Sequence, residues 1–255
     1  MQLFISPAKS LDFDSAKQIG ESADPFFLND AIKVNAGIRR KSRKALRELQ
    51  GISSQLAELN FHRNQEWAGD AIKIAQAAMA FKGDVYLGME AEKWSQEDMA
   101  FANNHLFILS GLYGLLRPNT SIKPYRLEMG TSLKIGRREN LYKFWADKLA
   151  AHFKAEIDPK ELLVNLASQE YFKAIYSAKV KNPVLNIEFK DFSNGSYKVL
   201  GFFAKRARGL MANYIIQNRI TSPEEIRSFN INGYYFDESS SNEFHYIFLR
   251  ESKDN

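Results

Sequence analysis

Leu106–Pro118, LFILSGLYGLLRP, is the stretch on which the fold turns. Leu106–Leu109 is an unbroken apolar run, the pattern of a strand covered on both faces. The glycine-rich segment Gly111–Pro118 follows it. Gly111 and Gly114 allow close backbone approach there. Arg117, placed before Pro118, is held extended. Moving outward, Gln2–Ile5 predicts a short strand ended by Ser6-Pro7, and Leu162–Leu166, Val184–Phe189 and Tyr197–Phe203 predict three more. The last two are joined through Asn194-Gly195, a strong hairpin signal. Tyr234–Phe236 and Phe244–Leu249 read as a terminal hairpin.

Between the strands lie helical patterns. Leu28–Leu49 and Ser53–Trp67 are two helices broken at Gly51, and Asp70–Phe81 is Ala-rich and helical. Ser95 with Asp98 opens a helix over Ser95–Asn104 in the manner of a capping box. Asn140–Phe153 has an amphipathic period. Lys205–Arg219 and Thr221–Phe229 complete the set, the latter with Ser222 as N-cap and Pro223 at the first helical position. Strands and helices mix without a regular βαβ rhythm, and no repeat or linker divides the chain. The expectation is an α/β (α+β) fold: a single compact domain over residues 1–255, with a mixed sheet rather than a doubly wound one. Residues 28–66 form a basic helical subregion.

The chain has no cysteine, which excludes disulfides, thiolate metal sites and cysteine nucleophiles and fits a reducing compartment. MQLFISPAKS at the N-terminus lacks the charge and apolar core of a signal peptide. No run approaches the roughly 18 apolar residues of a spanning helix. A cytoplasmic protein is expected. His62, His105, His152 and His245 are scattered without the spacing of a metal pair, so no metal and no cofactor are expected.

The net charge of +5 has an address. Leu28–Leu49 holds seven cations (Lys33, Arg39, Arg40, Lys41, Arg43, Lys44 and Arg47) against Asp30 and Glu48, an excess equal to that of the whole chain. The segment is either an electrostatic footprint for a polyanion or a solvated helix face. Directly after it, LQGISSQLAELN at 49–60 has the look of a helix-hairpin-helix motif, with Gly51 in the hairpin and Ser53 where the motif usually has its second glycine. Backbone N–H groups in such a hairpin grip a phosphate without reading bases. A plain helical hairpin is the alternative. A second basic cluster, FFAKRARG at 202–209, brings Lys205, Arg206 and Arg208 to the expected junction of a strand and a helix. Cations oppose the dipole at a helix N-terminus, so either an anion is expected there or the turn is merely solvated.

Three further loops combine hydroxyls, cations and acids. Ser6-Pro7-Ala8-Lys9-Ser10 follows the first strand, and its Lys9 suits a phosphate or, if desolvated, a role as base or nucleophile. PYRLEMG at 124–130 puts Arg126 and Glu128 on one face of an extended segment, as substrate-orienting groups or a structural ion pair. NLASQEYFK at 165–173 offers Asn165, a capping Ser168, and Glu170 beside Lys173 at i, i+3. No Walker loop and no dinucleotide fingerprint occurs.

Taken together, ISPAKSLDF at 5–13, AFKGDVYLGM at 80–89, LSGLYGLLRP, PYRLEMG, NLYKFWAD at 140–147, NLASQEYFK, FFAKRARGLM and GYYFDE at 233–238, in this order, closely resemble the YaaA family of bacterial peroxide stress-resistance proteins. The resemblance runs from Met1 to about Arg250. It implies the family's own α/β arrangement, with a positively charged cleft beside a helix-hairpin-helix element. It further implies DNA binding and protection from peroxide, linked to limiting free intracellular iron. Carried over motif by motif, it assigns Lys9, Lys82, Arg117, Arg126, Lys173, Lys205 and Arg208 to the cleft.

Two functions are in play. In the first, the protein shields DNA from iron-driven damage, docking on phosphates with little sequence preference. Arg39, Arg40, Arg43, Lys44, Arg47, Gly51 and Ser53 would act with Lys82, Arg117, Lys173, Lys205, Arg206 and Arg208. In the second, it is a glycosylase- or lyase-like enzyme on nucleic-acid bases or nucleotides, with catalytic candidates Ser6, Lys9, Tyr113, Arg126, Glu128, Asn165, Glu170 and Lys205. Either way Lys9, Arg126, Lys173 and Lys205–Arg208 are expected to converge, near Glu128 or Glu170 or a bound anion, on one concave surface.

Overall fold

The computed structural model describes residues 1–69 and 71–251. The chain runs β1 (Gln2–Ile5), β2 (Ser10–Leu11), α1 (Leu28–Arg39), α2 (Arg43–Gln50), α3 (Ser54–Glu66), β3 (Ala75–Gln76), α4 (Ala77–Ala80), β4 (Phe81–Lys82), α5 (Asp84–Met89) and α6 (Gln96–His105). It continues through β5 (Leu106–Ser110), β6 (Gly114–Leu116), β7 (Ser121–Ile122), α7 (Leu141–Glu156), β8 (Leu163–Asn165) and α8 (Gln169–Ser177). The last elements are β9 (Val184–Ser193), β10 (Ser196–Lys198), α9 (Gly201–Gln217), α10 (Pro223–Ile226), β11 (Tyr234–Phe236) and β12 (His245–Arg250).

The main sheet has the order β11-β12-β9-β8-β1-β5-β6, with β10 added to β9. Strands β12, β9, β8, β1 and β5 are parallel, while β6, β10 and β11 are antiparallel additions. The sheet is mixed, as the sequence predicts. Its parallel core nevertheless has the 2-1-3-4-5 order of a doubly wound sheet, which the absence of a βαβ rhythm had argued against. The rhythm is hidden because the connection from β1 to β5 contains nearly all of the first hundred residues, including, among those described, three small strands and six α-helices.

Register and aromatic packing show helices on both faces. Phe4 stacks with Phe153 of α7 and meets Phe172 of α8 edge-on. Leu3 points to the opposite face, in line through Val164 and Leu185 with the set that includes Phe189 and Phe248. There Phe229 packs on Phe189 and Phe248 and is covered by Tyr214 of α9. All of β1 and β5 is buried, as continuous apolar runs between two layers require.

Several local expectations shift. The predicted helix Leu28–Leu49 divides at Arg40–Ser42, because the Ser42 side chain accepts from Ala45 N–H and starts α2 anew. Asp70–Phe81 is not one helix: Asp70 lies outside the described residues, Ala75–Gln76 pairs with β7, and only Ala77–Ala80 is helical. The Gln76 side chain bonds both backbone groups of Ile19, a tertiary tie that outweighs alanine's helix preference. The strand predicted over Tyr197–Phe203 stops at Lys198. From Ala204 the buried positions follow a helical period, and Ala204 N–H bonds the Leu200 carbonyl. FFAKRARG therefore lies inside α9, and its cations do not cap the helix.

The glycine of that segment has a separate task. Helices α5 and α9 cross so closely that a Cβ on Gly209 would lie 1.8 Å from the Val85 carbonyl oxygen, and one on Gly88 would lie 2.2 Å from that of Arg206. Backbone cannot yield as a side-chain tip does. Gly209→Ala is expected to lower stability by about 3 kcal/mol or more, at the upper end of overpacking costs. Gly201→Ala, where a Cβ meets nothing within 4 Å, should stay within about 1 kcal/mol of the parent. Urea unfolding of both variants checks this, and equal stabilities would contradict it.

Candidate functional site

A doubly wound sheet leaves a crevice where neighbouring strands send their chains in opposite directions, at the strands' carboxyl ends. Here that point lies between β1 and β8. Ser6 leaves β1 and Ser168 follows β8. The Ser168 N–H donates to Ser6 Oγ at 2.9 Å, and the two hydroxyls are 3.3 Å apart. Tyr86 Oη donates to the Ser6 carbonyl at 3.1 Å. Asn165 braces the exit of β8 by bonding Asn186 Oδ1 and accepting from Ala167 N–H.

Above these serines opens a cleft of about 390 Å³. Lys9 reaches it from the loop after β1, and Lys82 from β4, which pairs antiparallel with β2 so that Ser10 faces Lys82. The tight α5–α9 crossing brings in Lys205 and Arg208. These four cations meet two lining acids, Asp84 and Glu170. A small adjoining hollow adds Arg126 and Glu128 and shares Lys9 and Tyr171 with the cleft.

Glu128 and Glu170 are engaged. Glu128 joins Lys9 Nζ at 2.7 Å and Arg126 Nη2 at 3.3 Å. Glu170 Oε1 accepts from Gly130 N–H at 2.9 Å. Some cation atoms, by contrast, are not: the buried Nε atoms of Arg126 and Arg208 have no hydrogen-bond partner among the described residues. Burial pushes the Arg208 guanidinium below its ordinary range, with Glu188 opposing the shift. Burial raises Tyr86 and Tyr171 well above the usual phenol value, so both remain neutral.

The loops read as candidate sites thus bring together Ser6, Lys9, Lys82, Arg126, Glu128, Glu170, Lys205 and Arg208. Lys173 lies farther along α8, over the Tyr142 ring, and does not line the cleft. Arg206 instead lines a groove with Phe202 and Phe203. Tyr113 is a correction: it is buried, and its hydroxyl accepts from Trp67 Nε1 and Lys123 N–H. Burial, offset in part by those two bonds, pushes it up to about 12. Arg117 is another. It lies 3.5 Å over the Phe107 ring and donates to Gln2 Oε1 and the Leu106 carbonyl, at the amino ends of β1 and β5. The glycine-rich segment contains β6 and packs inward.

In the basic subregion Arg39, Arg40 and Lys44 are exposed. Arg43 pairs with Glu58 at 2.5 Å and covers Phe61, and Arg47 donates to Ser54 Oγ. Gly51 takes the left-handed conformation with φ +60° and closes α2. Ser53 is extended and caps α3 by accepting from Leu56 N–H. A serine suits the position of the expected second glycine because the turn needs only one left-handed residue. Gln50 Nε2 donates to the Arg126 carbonyl at 2.8 Å, tying the subregion to the cleft's rim. Arg63 of α3, overlooked in the sequence, is half-buried near Arg126; burial and that like charge lower its guanidinium. Among the described residues no group of three or more His, Asp or Glu side chains is placed to hold a metal, and no helix is long and apolar enough to cross a membrane.

The geometry defines a doubly wound α/β protein with a basic switch-point cleft. A family model described as peroxide stress protein YaaA matches residues 1–240. The UPF0246 protein of Paraburkholderia phytofirmans is 42% identical over 256 aligned residues, covering 98% of both chains. That of Teredinibacter turnerae is 43% identical over 255 residues, covering 98% of this chain and 100% of its own. A UPF0246 protein of Burkholderia lata is 41% identical with 98% of both covered. The chain belongs to the YaaA family of peroxide stress proteins.

Position in the fold separates structural cations from those free to meet a ligand. Arg117→Ala removes two half-buried hydrogen bonds and a cation–π contact and should cost about 2–4 kcal/mol. Lys205→Ala, at an exposed position, should change stability by less than about 0.5 kcal/mol. Urea unfolding tests both, and comparable losses would contradict the assignment.

Proposed function

We propose that the protein acts in peroxide stress by docking on DNA through its phosphates, shielding it from iron-driven damage, with little sequence preference. The basic helical subregion and the switch-point cleft form the docking surface. The observation that carries this reading is the meeting of Lys9, Lys82, Arg126, Lys205 and Arg208 around one cleft, whose rim is hydrogen-bonded to the end of α2. Like charges gathered this way repel one another, and a phosphate backbone relieves the repulsion. The turn at Gly51 and the capped start of α3 suit a helix-hairpin-helix contact, in which backbone N–H groups hold a phosphate. Such a protein works where DNA is, in the cytoplasm of a bacterium. By occupying the phosphates it would also keep cationic iron from them.

The enzymatic alternative is less well supported. Lys9 is 61% exposed at its side chain and paired with a carboxylate, without the apolar burial that turns an amine into a nucleophile. Tyr113, one of the candidate catalytic groups, is in the core.

Salt dependence tests the docking reading. Duplex affinity should fall steeply with salt, and replacing Arg39, Arg40, Arg43 and Arg47 together by Gln should flatten the slope of log affinity against log salt by about 2–4 units, close to one per lost phosphate contact. Fluorescence anisotropy on a labelled duplex measures this. Unchanged affinity and slope would mean that the segment is a solvated face.

A further inference from the structure

The docking surface leaves the depth of the cleft unexplained. A duplex lies across a surface, whereas a cavity of about 390 Å³ is of the size that encloses a small molecule. It stands at the carboxyl ends of β1 and β8, the switch point of the parallel core, where open α/β sheets hold their ligands.

The lining specifies the ligand's chemistry. Helix α8 begins at the cleft, with its N-cap Ser168 and first-turn residues Glu170 and Tyr171 in the wall. The Ser168 side chain makes no capping bond, so the first N–H groups of the helix retain their attraction for an anion. The first-turn carboxylate of Glu170, which would otherwise compete for that position, accepts from Gly130 N–H. Lys9, Lys82, Lys205 and Arg208 outnumber Asp84 and Glu170. The buried Nε of Arg208 is without a partner, and a buried donor left unpaired is costly until something accepts from it. The remainder of the lining includes Pro7, Val85, Tyr86 and Tyr171, apolar and aromatic surface suited to a flat ring.

We propose that this cleft binds a single nucleotide through a terminal phosphate monoester. The phosphate sits at the start of α8 among Lys205, Arg208 and the Ser6 and Ser168 hydroxyls, and the nucleoside lies along the aromatic and apolar wall. The inference deepens the anionic reading of the cleft given above, but it does not require α2 and α3 to touch DNA. A monoester carries more charge than the diester of an intact strand, so the site favours either a free mononucleotide or the phosphorylated end of a broken strand.

Isothermal titration calorimetry with dAMP and with deoxyadenosine tests the proposal, on the full chain and on Lys205→Ala. Saturable binding of dAMP, with deoxyadenosine weaker by about tenfold or more, is expected, since charge-assisted bonds to the phosphate are lost. Lys205→Ala should weaken dAMP by about fivefold or more, roughly one such bond. The variant with Arg39, Arg40, Arg43 and Arg47 changed to Gln should bind dAMP as the parent does. Short single strands ending in a phosphate or a hydroxyl then identify the source: preference for the phosphate end admits strand ends, and no preference leaves the free nucleotide as ligand. Equal binding of dAMP and deoxyadenosine, no saturation at millimolar dAMP, or undiminished binding by Lys205→Ala overturns the proposal. Failure of the parent to bind duplex while it binds dAMP would instead overturn the docking reading alone.

Discussion

The contact on which the cleft depends is the backbone-to-backbone crossing of α5 and α9. Gly88 and Gly209 each stand where a single methyl group would strike the other helix's main chain. The crossing fixes α9 against α5, and α5 in turn follows the short β2–β4 pair that sets Lys82 beside the loop carrying Lys9. Lys205 and Arg208 are thereby held over the carboxyl ends of β1 and β8. A wider crossing would carry these two cations away from Ser6 and Ser168. The glycine that closes FFAKRARG thus belongs to the packing, while Lys205 and Arg208 before it belong to the cleft.

Gathering cations around one hollow carries an electrostatic cost, and the protein meets it in part. Glu128 is shared between Lys9 and Arg126, and Arg43 is matched by Glu58 in the subregion. The exposed pairs among these contribute little to stability. Their larger effect is on direction, since they fix which nitrogen atoms remain available. Arg126 and Arg208 keep unpaired buried Nε atoms, and Arg63 approaches Arg126 with burial already lowering its guanidinium. An anion of the kind proposed above would complete a site arranged in this way.

Much of the architecture was legible where one signal dominates. An unbroken apolar run marked β5, Asn194-Gly195 marked the β9–β10 hairpin, and Ser95 marked a helix start that its side chain does cap. Signals in conflict misled. Val199, Phe202 and Phe203 have the bulk of strand residues, yet all three are exposed and the last two lie in a helix. Tyr113 and Arg117, taken as site candidates from a glycine-rich segment, are drawn inward by aromatic packing. The order of the parallel strands could not be read at all, because it depends on pairings across a hundred residues of intervening chain. Of the residues gathered at the cleft, Ser6 and Lys9 were picked out as a loop at a strand end, whereas Lys82 lies on a strand and Lys205 and Arg208 lie inside a helix. Their common location, and the entry of Arg63, required the fold.

The central claim is that the protein works through the switch-point cleft, and survival under peroxide tests it most directly. Cells lacking their own copy would be given either the parent chain or Lys205→Glu, at matched expression and with the melting temperature of each purified protein determined. The account predicts that Lys205→Glu keeps the parent's melting temperature yet leaves cells as sensitive to peroxide as those with no copy. Full resistance from Lys205→Glu would contradict it.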